Sequence, residues 1–91
     1  MPLTPHLEKI RKYVARFMRC KKLEKEATTI TDRQAMIVSA QIWAKIIGEE
    51  LAKEYPDDEP KAQRVLMNLV ISITDDYMNQ AFDDSDNEDD N

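Results

Sequence analysis

The sequence predicts an all-α fold, a three-helix bundle followed by a disordered acidic tail, and three observations carry that expectation. One glycine and four prolines among 91 residues leave little material for turns. Those few breakers fall where helices should begin or end. Between them, apolar side chains recur every three or four residues, the period of an amphipathic helix. The expected helices span about 5–27, 32–55 and 60–82. They form one domain, residues 1–82, with residues 83–91 as the tail.

The first helix has a start signal at Thr4, with Pro5 at the first helical position, where its missing N–H is not needed. Leu7, Ile10, Val14 and Phe17 follow 3-4-3 spacing, with Leu3 and Met18 beside them, and make the core-facing stripe. Lys9, Lys12, Arg16 and Arg19 repeat the same spacing on the other side. This row is the candidate anion-binding face, able to meet nucleic-acid phosphates or an acidic protein surface, and its plainer reading is a solvated surface. Tyr13 lies beside the stripe in a partly buried structural position.

The β-branched run Thr28, Thr29, Ile30, Thr31 interrupts good helix formers, and Thr31 with Gln34 is a capping box for the second helix. That helix is apolar around much of its circumference. Met36, Ala40, Trp43, Ile47 and Leu51 share one face, and Val38, Ile42 and Ile46 share another, as suits a central helix. Ala40, Ala44, Gly48 and Ala52 recur every four residues as a low ridge, expected to receive helix one or three at close range.

Pro56 and Pro60 bracket the second connection, with Asp58 or Glu59 as the cap of the third helix. Ala62, Val65, Leu66, Leu69, Val70, Ile73 and Tyr77 give this helix a broad core face. Met67, Ile71, Met78 and Phe82, with Thr74 among them, form a second stripe on the opposite side. A three-helix bundle leaves that stripe in water, and contiguous exposed apolar surface marks an interface. The four residues are therefore the expected protein-binding site, for a second copy in a homodimer or for another protein.

Charge is distributed unevenly, with +5 over residues 1–27, −4 over 28–82 and −6 over 83–91. The tail has six carboxylates and no apolar side chain, so it has nothing to bury. It is expected to limit nonspecific association of the third helix or to fold back over the basic row. Single residues limit the chemistry. His6 and Cys20 stand 14 residues apart on one helix, about 21 Å along its axis, too far for a base and its nucleophile. Glu50, Glu54, Asp75 and Asp76 read as solvated charge at helix ends rather than as metal ligands. No catalytic residue, metal or cofactor is expected.

No apolar run reaches the roughly 18 residues of a membrane span, and no secretory signal opens the chain. One unpaired cysteine fits a reducing, cytoplasmic setting. The expected function is that of a small non-enzymatic adaptor or regulatory protein, acting by protein–protein binding through an apolar helix surface. The alternative is a nucleic-acid-associated protein that uses the basic face of helix one.

Overall fold

The computed structural model describes the backbone of residues 4–87 and the side chains of residues 4–77. Three helices follow one another: α1 (Pro5–Glu26), α2 (Ile30–Glu54) and α3 (Glu59–Asn87), with no strand among the described residues. The first cap is the expected one. Thr4 is extended, and its hydroxyl accepts the backbone N–H of Leu7 at 3.2 Å, with Pro5 opening the helix. Asp58 caps α3 in the same way, its carboxylate accepting the N–H of Lys61 at 3.1 Å.

Two boundaries differ from expectation by more than one residue. Helix α2 begins two residues early, because Thr29 rather than Thr31 is the cap and accepts the N–H of Asp32 at 3.0 Å. With Thr29 as the cap, Asp32 stands at the third helical position, and the earlier start adds two residues of hydrogen-bonded backbone to the helix. Helix α3 runs past Phe82 to Asn87, and no proline or glycine after Pro60 stands in its way. Of the expected acidic tail, 83–91, only the backbone of residues 83–87 is described, and its side chains and residues 88–91 lie outside the described part.

Only Ala27, Thr28 and Thr29 separate α1 from α2, so the two helices return side by side as an antiparallel hairpin. The start of α1 accordingly meets the end of α2, with Lys9 Nζ 3.4 Å from Glu50 Oε1. Ile10 and Val14 are sealed completely between the helices, and Ile47, Leu51, Leu69 and Ile73 close the core around them. Leu7, Phe17, Met18, Val65, Leu66 and Val70 pack against this cluster while half-buried.

Helix α3 is held more lightly. Its contribution to the sealed core is Leu69 and Ile73, and contacts from two of its adjacent residues to well-separated points on α1 imply that it crosses α1 at an angle. The neighbours Asp76 and Tyr77 meet Arg11 and Lys22, which stand eleven residues apart on α1. Arg11 pairs with Asp76, and the Lys22 ammonium lies 5.4 Å from the centre of the Tyr77 ring.

The small-residue ridge is not filled as expected. Ala40 is buried, but Ala44, Gly48 and Ala52 are exposed, and a Cβ built on Gly48 would meet nothing within 4 Å. An open space separates Ala44 and Gly48 from Leu66 and Val70 of α3, so no helix backbone closes on the ridge there. Gly48→Ala should therefore stabilise the protein by up to about 1 kcal/mol through its helix propensity, without a steric cost. Ile10→Ala, at a sealed site, should cost about 2–5 kcal/mol. Urea denaturation followed by circular dichroism measures both.

Candidate functional site

The outer face of α3 is built by its own periodicity. Leu69 and Ile73 point inward, so positions two residues away point outward. Met67 is 59% exposed and Ile71 51% exposed, side by side one turn apart. Thr74 continues the row, and its hydroxyl donates to the Val70 carbonyl at 2.8 Å. That bond occupies the polar atom within the helix, so the Thr74 methyl is free to join the apolar row. Met78 and Phe82, the other two residues of the expected stripe, have side chains outside the described part.

Beside this row lies an apolar cleft that sequence reasoning did not foresee. Between the helices, Phe17, Ala44, Ile47, Gly48, Leu66 and Val70 surround a space of about 220 Å³. It adjoins a second space of about 350 Å³ next to Ala52, Tyr55, Pro56 and Gln63. Leu66 and Val70 thus stand between the cleft and the outer row, joining them into one surface. The exposed small-residue ridge was the available signal. Helix α2 also presents Val38 and Ile42, each 54% exposed, on a face expected to lie inside the bundle.

The basic row of α1 is exposed at all four positions, but its members do different things. Lys9 leans onto α2, pairs with Glu50 and sits 5.9 Å from the Tyr13 ring centre. Arg16 covers Trp43, its guanidinium carbon 5.2 Å from the ring centre. Lys12 and Arg19 make no ion pair among the described residues. Between the two engaged cations, Tyr13 and Trp43 stack with centroids 5.5 Å apart and planes inclined by 30°. Lys9, Tyr13, Trp43 and Arg16 thereby form a cation–aromatic seam across α1 and α2.

Glu50 lies at the base of that seam with its side chain only 12% exposed. A carboxylate in such a place needs compensating charge. Lys53 Nζ approaches Oε2 at 3.2 Å, off the line of a good hydrogen bond, while Lys9 holds Oε1. Lys53 first, and Lys9 after it, hold the Glu50 carboxyl below its usual range, against the opposing effect of burial. The Lys9 ammonium is held above its usual value chiefly by the same pair, with Tyr13 adding to it. His6 completes this end of the hairpin, its Nε2 sheltered from solvent and 3.7 Å from Glu54 Oε2. Cys20 is half-buried on α1. No three His, Cys, Asp or Glu side chains converge in a metal-binding group among the described residues, and no helix there is long and apolar enough to cross a membrane.

Because the folded state lowers the Glu50 pKa, the unfolded chain takes up its proton first as the pH falls. The stabilisation is complete above the ordinary carboxylate range and disappears as the pH drops through the folded pKa. Glu50→Gln should lower the melting temperature at pH 7 and flatten its acid dependence between about pH 5 and 3. Thermal melts of both proteins at stepped pH test this, and parallel curves would contradict it. No family model matches this chain, and no curated protein or solved structure is found similar to it.

Proposed function

We propose that the protein is a small non-enzymatic adaptor or regulatory protein, working in the cytoplasm by binding another protein through the outer face of α3. The observation that carries this reading is the exposure of Met67 and Ile71 on a helix whose inner face already occupies the core. Large apolar side chains adjoining an open apolar cleft recover free energy only when something covers them. Methionine at position 67 suits an adaptable contact. Charge around the site sets orientation and encounter rate.

A second reading has its own support. The Tyr13–Trp43 stack brings aromatic groups to the basic row, which the row lacks in sequence, and Lys12 and Arg19 are open to phosphates. Cations interleaved with aromatic side chains suit single-stranded nucleic acid. The Arg16 guanidinium already covers Trp43, and Glu50 neutralises Lys9, so protein binding through α3 is preferred.

Ile71→Asp separates the two readings. The substitution lies on a half-exposed surface and should change stability by no more than about 0.5 kcal/mol. It should reduce capture of the native protein partner from a lysate of the source at least tenfold, whereas a Lys12→Glu, Arg19→Glu variant should retain it. Unchanged capture by Ile71→Asp would remove α3 as the binding surface. Titration of labelled single-stranded DNA and RNA at low salt tests the second reading, which requires binding by the wild type and its loss in the charge-reversed variant.

A further inference from the structure

The outer row of α3 is flanked by two charges whose positions specify an occupant. Arg64 and Asp75 both lie on the same side of the Met67–Ile71 row, and both are exposed. Neither makes an ion pair among the described residues. Leu69 marks the midpoint of the row along the helix axis. Arg64 stands five residues before it and Asp75 six residues after it, about 7.5 and 9 Å away at the helical rise.

We infer that the occupant is a second copy of this chain, its α3 antiparallel to the first and related to it by a two-fold axis level with Leu69. This rests on the reading of α3 as a protein-binding face and deepens it by naming the partner and its register. The two-fold rotation reverses position along the helix and preserves the flank, because the axis is perpendicular to the plane containing both helices. Arg64 therefore faces Asp75 of the second copy with an axial offset of only about 1.5 Å, and the pair occurs twice. Met67 faces Ile71 of the second copy, so each apolar side chain covers the other. On the opposite flank, Gln63 comes level with Thr74 of the second copy, and no like charges meet there.

A parallel pairing has no such complementarity. It sets Arg64 level with Arg64 and Asp75 level with Asp75, leaving the opposite charges about 16 Å apart along the axis. The antiparallel register uses both flanking charges, whereas a foreign partner would have to supply matching charges of its own. Self-recognition thus follows from a single helix carrying +/− charges symmetric about its apolar row.

Charge exchange tests the register on the full 91-residue chain. Sedimentation velocity over a concentration series should show a monomer–dimer equilibrium for the wild type. Arg64→Asp and Asp75→Arg should each weaken the dimer about tenfold, since either reversal places like charges together twice. The double variant Arg64→Asp, Asp75→Arg should return the dissociation constant to within threefold of wild type. Circular dichroism checks that each variant retains its helices, which the exposed positions favour.

A wild type that stays monomeric at millimolar concentration would overturn the self-pairing, while capture of a foreign partner that depends on Ile71 would still stand. Dimers that ignore both single reversals, or a double variant as weak as either single one, would overturn the register. A dimer unaffected by Ile71→Asp would overturn this inference, and only if capture of protein from the lysate were also unchanged would the reading of α3 on which it rests fall with it.

Discussion

The packing of α1 against α2 is the constraint on which the rest depends. A connection of three residues forces the two helices to lie antiparallel, and Ile10 and Val14 can be sealed only because Ile47 and Leu51 arrive opposite them. In so small a chain this hairpin uses much of the buried surface available. Helix α3 adds Leu69 and Ile73 to that core. The open ridge at Gly48 is consistent with a third helix joined to a pair already packed against each other.

The same hairpin decides the electrostatics. Antiparallel packing carries Lys9 and Glu50 to one level, and Glu50 remains ionised in a sheltered place because Lys53 and Lys9 reach it from two helices. A slip by one turn would separate Lys9 from Glu50 and leave a sheltered charge with a single partner. The pair thus penalises wrong registers, whatever its net contribution to stability. Along the same seam, the Tyr13–Trp43 stack fills the space between the helices with flat groups, and Arg16 closes over its outer side.

Much of the fold is legible in the sequence because helix starts and inward stripes are local properties. Thr4 with Pro5, and Asp58 before Pro60, act within one turn of chain, and Ile10, Val14, Leu69 and Ile73 are inward by periodicity alone. The start of α2 is ambiguous in the sequence because Thr29 and Thr31 are both competent caps, and the structure uses the earlier one, which lengthens the helix by two residues. The fate of Gly48 was harder still. A stripe of small residues indicates that a backbone can come near, but the angle between helices decides whether one does. Helix α2 is apolar nearly all round, so its sequence does not indicate which side will remain uncovered, and the exposure of Val38 and Ile42 was missed for that reason. The exposed positions of Met67 and Ile71 were legible, since the richer core face of α3 fixed its rotation.

The light attachment of α3 divides the molecule into two layers of permanence. Releasing α3 exposes Leu69 and Ile73, uncovers the side of Ile10 and Val14 that they close, and breaks the Arg11 and Lys22 contacts, whereas opening the hairpin also takes Ile47 and Leu51 away from Ile10 and Val14. Amide protons of α3 should consequently exchange with solvent before those in the middle of α1, through a partial opening that leaves the hairpin standing. Anything that grips the outer face of a docked α3 then opposes that opening by mass action. The lifetime of the third helix on the bundle becomes a reporter of occupancy, and the protein's resistance to proteolysis becomes a function of how much of its ligand surrounds it.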